Sequence, residues 1–107
     1  MRPANRNLLW AHVFLAELIG QGLRAACLAP GSRSTPLVMA LEMFARQGFL
    51  RLWVHNDERS AAYFALGLAR ASGRPVVVVS TSGTAAANCY PAVIEADLSE
   101  VPLLLLT

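Results

Sequence analysis

His55-Asn56-Asp57-Glu58-Arg59-Ser60-Ala61-Ala62 is the stretch around which the rest of the chain is organised. It follows a short apolar run, Phe49 to Val54, and leads into Tyr63-Phe64-Ala65-Leu66-Gly67-Leu68-Ala69-Arg70, where apolar residues recur at helical spacing. The pattern reads strand, polar turn, helix. Asn56 or Asp57 can serve as N-cap, accepting hydrogen bonds from N–H groups that a first helical turn leaves unpaired. Glu58 then falls in the first turn, at the positive end of the helix dipole and close to the end of a strand. Open α/β sheets bind their ligands at that edge. Two readings of Glu58 stand at this point: a ligand-facing carboxylate, or a residue that only complements the dipole.

The same alternation extends in both directions. Asn7 to Gln21 carries Leu8, Leu9, His12, Val13, Leu15, Leu18 and Ile19 at helical spacing, with Gly20 or Gly22 as a stop. Arg24 to Ala29 is a short apolar run ending at Pro30-Gly31, and reads as a buried strand. A polar loop follows, Pro30-Gly31-Ser32-Arg33-Ser34-Thr35-Pro36; Ser34 or Thr35 caps a second helix with Pro36 at its first position. Its apolar face is Leu37, Ala40, Leu41 and Phe44, and Gln47-Gly48 ends it. Beyond the Glu58 helix, Ser72-Gly73-Arg74-Pro75 turns the chain into Val76-Val77-Val78-Val79, a β-branched run without alternation, as in a strand covered on both faces. Thr81-Ser82-Gly83-Thr84 precedes a fourth helix, Ala85 to Ala96, which Pro91 should kink. Asp97 to Pro102 leads to a fourth strand, Leu103 to Leu106.

Strands alternating with helices predict an α/β fold, a parallel sheet with right-handed crossovers and helices on both faces. The loops Gly31–Thr35, His55–Glu58 and Thr81–Thr84 each follow a strand and precede a helix. All three therefore belong to the carboxyl edge of the sheet, and the polar residues gather there. A final strand of leucine with no helix to cover it predicts an incomplete domain within a protein several times longer. In the third helix, Ala61, Ala65 and Leu68 line one face and Ala62, Leu66 and Ala69 the next. With Gly67 among them, this breadth predicts either a subunit or domain interface or burial within the helix's own domain.

Composition narrows the function. The 107 residues suffice for one small domain, 55% of them hydrophobic and 15% charged, an apolar balance for a free-standing soluble domain. No run reaches the roughly 18 apolar residues of a membrane span, and the basic N-terminus lacks the apolar core of a signal peptide. All nine basic residues are Arg, scattered along a chain of net charge +2, which argues against nucleic acid. Cys27 and Cys89 sit in apolar surroundings without CxxC spacing and read as buried thiols of a reducing compartment, the cytoplasm.

Several chemistries lack their residues. Thr81-Ser82-Gly83-Thr84 is not the G-x-S-x-G elbow of a hydrolase. His12, His55, Cys27 and Cys89 have no metal-ligand spacing, and neither a Walker A sequence nor GxGxxG occurs. The Gly31–Thr35 and Thr81–Thr84 loops can each nest an anion at a helix N-terminus, although ordinary capping accounts for either as well. Arg33, the one charged residue between Arg24 and Glu42, adds a bidentate donor for a carboxylate or phosphate.

These motifs together resemble the N-terminal, pyrimidine-binding (PYR) part of thiamine-diphosphate-dependent enzymes, from Asn7 to Thr107. The family's glutamate lies in a His/acid cluster, here His55-Asn56-Asp57-Glu58, ahead of an Ala-rich helix and a Gly-x-Ala-Arg-x-x-Gly phrase, here Gly67 to Gly73. A valine strand, Thr81-Ser82-Gly83-Thr84-Ala85-Ala86-Ala87-Asn88 and Val101-Pro102-Leu103 complete the match. Pro30-Gly31-Ser32-Arg33-Ser34-Thr35-Pro36-Leu37 and Asp57-Glu58-Arg59-Ser60-Ala61 are similar to one branch in particular, the synthases that join 2-oxoglutarate to isochorismate in menaquinone biosynthesis. Acetolactate synthase-like relatives carry a Pro-Gly-Gly type loop instead.

The resemblance implies a reaction and its residues. Glu58 is the catalytic carboxylate, hydrogen-bonding the aminopyrimidine ring to favour its imino tautomer. 2-Oxoglutarate loses carbon dioxide, and the remaining carbanion adds to isochorismate in a 1,4 fashion. Ser32 and Arg33 contact substrate, Arg33 at a carboxylate; Pro30, Gly31, Thr81, Ser82 and Gly83 line the cofactor with Glu58. It also implies Mg²⁺ held by a diphosphate-binding domain outside these residues, a homodimer or homotetramer, and no turnover by the 107 residues alone. Another thiamine-diphosphate-dependent lyase and a non-catalytic anion-binding module are the alternatives.

Overall fold

The computed structural model describes residues 5–29, 35–81 and 83–107. Nine elements follow in order: α1 (Arg6–Gly20), β1 (Ala25–Leu28), α2 (Thr35–Arg46), β2 (Arg51–Val54), α3 (Glu58–Ser72), β3 (Val76–Val79), α4 (Thr84–Asn88), α5 (Tyr90–Leu98) and β4 (Leu103–Leu106). The four strands form one parallel sheet in the order β2-β1-β3-β4.

Strand order and crossover handedness together assign the layers. The chain leaves β1 toward β2 and then returns past β1 to β3, so right-handed connections put α2 and α3 on opposite faces. The step from β3 to β4 continues in the same direction and keeps α5 beside α3. Side-chain alternation along the strands, with period two, serves both layers. Ala26, Leu28, Val77 and Val79 meet Leu8, Leu15, Leu41 and Phe44 of α1 and α2. Cys27, Ala29, Val76 and Val78 meet Ala61, Ala62, Ala65, Ala69 and Ala92 of α3 and α5. All four valines of β3 are buried, as an unalternating β-branched run requires.

Three expectations need correction or choice. The fourth helix is not one kinked helix: it is split into α4 and α5 at Cys89, with Pro91 in the first turn of α5. A proline ring has no N–H and clashes with the carbonyl four residues back, so it is accommodated where a helix starts. β1 is shorter than its expected run, with Arg24 and Ala29 just outside it, and β2 is shorter because Phe49 and Leu50 belong to the bend before it. In α3 the alanines pack against their own sheet, and Gly67 faces outward with nothing within 4 Å of where a Cβ would stand. The strand β4 lies at the sheet edge with its leucines only partly covered, Leu104 being 38% exposed.

Candidate active site at the carboxyl edge of the sheet

Parallel strands end at one edge, so the segments after β1, β2 and β3 leave the sheet side by side. The pairing persists to that edge: the N–H of Ala29 donates to the Val79 carbonyl at 3.0 Å and that of His55 to the Leu28 carbonyl at 2.8 Å. Between β1 and β3 the connections depart in opposite directions, which makes this the switch point where an open sheet leaves a crevice. The ends of β2 and β3 stand two strand spacings apart, roughly 10 Å.

Glu58 is the first residue of α3, and Asp57 is its N-cap. The Asp57 carboxylate accepts from the N–H groups of Arg59 at 3.3 Å and Ser60 at 3.0 Å and from the Ser60 hydroxyl. The Ser60 hydroxyl, the Ser60 N–H and, more weakly, the Arg59 side hold the Asp57 carboxyl below the usual carboxylate range. With Asp57 occupied as the cap, Glu58 is left half-buried at the sheet edge. Among the described residues no hydrogen bond engages its carboxylate; the contact made by Glu58 is through its backbone carbonyl, which accepts the Cys89 thiol at 3.8 Å.

Thr81 and Gly83 follow β3. Ser80, buried at the end of that strand, donates its N–H to the Leu106 carbonyl at 3.0 Å and its hydroxyl to the Thr81 carbonyl at 3.1 Å. Gly83 caps α4 at φ 80° and ψ −136°, backbone that a Cβ disfavours. Pro30, Gly31, Ser32, Arg33 and Ser82 lie outside the described residues. The structure thus brings Glu58, Thr81 and Gly83 to one edge, with the exit of β1 between them.

Two residues at this edge carried no role in the sequence reading. His55 packs against Phe64, ring centroids 5.1 Å apart, and its Nε2 is buried without a hydrogen-bond partner among the described residues. Its signal was adjacency to the acid pair, which spacing rules for metals or triads do not score. Cys89 lies 31 positions from Glu58 and nothing local ties them; burial, then the charges of Glu58 and Asp57, push its thiol up. Among the described residues no three His, Cys, Asp or Glu side chains cluster for a metal, and no helix is long and apolar enough to cross a membrane.

A parallel sheet whose connections reverse between β1 and β3, with a carboxylate at a helix N-terminus on that edge, defines an α/β domain of the kind that binds ligands at its switch point. Residues 10–107 match the family model described as thiamine pyrophosphate enzyme, N-terminal TPP binding domain, and the chain belongs to that family. Proteins named 2-succinyl-5-enolpyruvyl-6-hydroxy-3-cyclohexene-1-carboxylate synthase are similar to it. The one from Haloarcula marismortui is 57% identical over 107 residues, all of this chain and 18% of its own length. That from Roseiflexus castenholzii is 58% identical over 103 residues, 96% of this chain and 17% of the relative. That from Myxococcus xanthus is 58% identical over 104 residues, 97% and 17%. The chain therefore spans less than a fifth of the length of these relatives.

Proposed function

We propose that this chain is the pyrimidine-binding (PYR) domain of a longer synthase that decarboxylates 2-oxoglutarate and adds the resulting four-carbon carbanion to isochorismate. The observation that carries a catalytic reading is Glu58, a half-buried carboxylate at the sheet edge with no partner among the described residues. The choice of reaction rests on what the relatives are and on the Pro30–Leu37 and Asp57–Ala61 motifs.

The residues fit thiamine diphosphate, whose bound form supplies the carbanion-forming carbon and the electron sink for decarboxylation. Glu58 shares a proton with a ring nitrogen of the aminopyrimidine, which requires a carboxylate because an amide cannot accept and return that proton. Asp57 keeps Glu58 available by taking over the capping of α3. Thr81, Ser82, Gly83, Pro30 and Gly31 would contact the cofactor together with Glu58. Ser32 and Arg33 bind substrate, the guanidinium of Arg33 pairing with a carboxylate. The described residues offer no ligand set for Mg²⁺; its ligands would belong to a diphosphate-binding domain elsewhere in the polypeptide. The whole enzyme acts in the cytoplasm as a homodimer or homotetramer, and the 107 residues alone do not turn over substrate.

The test is carbon dioxide release from 2-oxoglutarate by the full-length protein with thiamine diphosphate and Mg²⁺, with and without isochorismate. The wild type forms isochorismate-dependent product, and Glu58→Gln lowers it by roughly the 10²–10⁴-fold that a proton-transfer group contributes. Turnover unchanged by Glu58→Gln overturns its role. Turnover of another 2-oxo acid only points to a different lyase, and no turnover or cofactor binding to an anion-binding module.

A further inference from the structure

The amino edge of the sheet gathers three arginines. Arg24 stands just before β1, Arg51 is the first residue of β2, and Arg74 lies in the turn into β3. β2, β1 and β3 are adjacent and parallel, so the three side chains start side by side, neighbouring strands being about 4.8 Å apart. They line one hollow of about 180 Å³, whose apolar wall includes Trp53, Leu68 and Pro75. The hollow lies at the far end of the strands from Glu58, roughly 13 Å away along a strand of this length.

Two of the guanidiniums are held in place. Arg24 Nη1 donates to the carbonyls of Ile19 at 2.9 Å and Leu23 at 2.7 Å, which fastens it to the end of α1 and leaves its remaining N–H groups for a ligand. Arg51 lies over the Trp53 ring, its guanidinium carbon 5.0 Å from the centroid, in a cation–π contact. Trp53 is itself braced by Phe64, ring centroids 5.5 Å apart. Among the described residues no carboxylate pairs with Arg24, Arg51 or Arg74, and none lines the hollow. Three like charges converging on one hollow repel one another, and the apolar wall displaces part of the water that would screen them. Solvated arginines with no common purpose would splay apart, whereas Arg24 and Arg51 are fixed by a helix end and an indole.

We infer that this hollow is a binding site for a small multivalent oxyanion, a phosphate or a short dicarboxylate. A guanidinium presents paired N–H donors in a rigid fork that matches two oxygens of such a group. More than one negative charge is needed to offset three positive ones. A volume of about 180 Å³ is the room of about six waters, enough for either anion. The bound anion ties together the starts of β1, β2 and β3. The site uses none of the residues assigned to the reaction and stands whichever reaction the protein catalyses.

The test is thermal unfolding of the full-length protein at constant ionic strength set with chloride, titrated with inorganic phosphate, malonate or acetate. Phosphate or malonate should raise Tm, by an amount that yields a Kd through mass action; the tighter of the two names the anion, and monovalent acetate should do nothing. Arg51→Gln and Arg74→Gln should each raise that Kd roughly tenfold, as loss of one charge-assisted hydrogen bond predicts. Arg46→Gln, which removes an exposed charge at the end of α2, should leave it unchanged. In chloride alone Arg74→Gln should not lower Tm, because it relieves repulsion. No rise with phosphate or malonate, an equal rise with acetate, or a Kd that Arg51→Gln and Arg74→Gln leave unchanged overturns the proposal. A fall in Tm for Arg74→Gln in chloride also overturns it, by showing that this guanidinium already pairs with a carboxylate elsewhere in the polypeptide.

Discussion

The thiol of Cys89, at the junction of α4 and α5, lies 3.8 Å from the backbone carbonyl of Glu58 and shares its one proton between that carbonyl and the Ala85 carbonyl at 3.7 Å. This contact brings the start of α3 against the helices that follow β3 through a buried sulfur. The carboxylate of Glu58 is not used in it. Glu58→Gln should therefore leave the thermal midpoint within about 2 °C of wild type, as expected of a substitution that disturbs no packing. Differential scanning calorimetry checks this, and a larger fall would assign the side chain a structural role.

The two thiols predict an alkaline limb to the stability curve. Burial pushes Cys27 from 9.0 up to about 12, and it also raises Cys89. Below about 9 both folded and unfolded chains hold the Cys27 proton and this residue adds no pH dependence. Above it the unfolded chain releases a proton that the folded chain keeps, so stability falls as pH rises toward 12. The limiting slope is about 1.4 kcal/mol per pH unit for one proton. Urea titrations between pH 8 and 11 should show it, and Cys27→Ala should flatten it.

Asp57 acts in the opposite range. Its carboxyl sits below its ordinary value of 3.8, so its cap is intact above that pH and is lost as pH falls through the lower folded value. Asp57→Ala should lower Tm by roughly 4–8 °C at pH 7. Asp57→Asn, which keeps an accepting oxygen, should lose less at pH 7 and flatten the acid limb. Equal losses for Ala and Asn would mean that charge, and not the cap geometry, is what α3 needs.

Two substitutions on α3 should have opposite signs. Ala65 is fully buried against the sheet, so Ala65→Leu overpacks that layer and costs about 1–3 kcal/mol. Gly67 sits in the same helix with open space around it, so Gly67→Ala should stabilise by about 0.5–1 kcal/mol. Chemical denaturation of the pair measures how closely helix and sheet approach.

At Gly83, open space surrounds the missing Cβ and only the backbone objects, with φ at 80°. Gly83→Ala should cost about 1–3 kcal/mol and weaken thiamine diphosphate binding by displacing Thr81. Unchanged cofactor titration in the full-length protein would separate this turn from the site.

The α/β alternation was legible because each element carries its own local signal: β-branched or apolar runs of strand length, helical spacing, and Asp57, Gly73 and Pro36 at element ends. The helix from Glu58 to Ser72 and the strands Val76–Val79 and Leu103–Leu106 follow directly from it. Pro91 was recognised as a break, but whether a proline kinks a helix or starts a new one depends on what receives the freed carbonyls, here the junction at Cys89. The position of Glu58 at the end of a strand was legible for the same local reasons; its neighbour across the edge was not.

What the chain determined by itself is thus the sequence of elements, the parallel sense of the sheet and the residues gathered at its carboxyl edge, all of which depend on interactions within a few positions. Tertiary structure alone decided the strand order β2-β1-β3-β4, the inward alanines and outward Gly67 of α3, and the meeting of Cys89 with Glu58. These depend on which apolar faces bury one another across 30 or more residues, a choice made by packing the whole core and not by the periodicity of any segment.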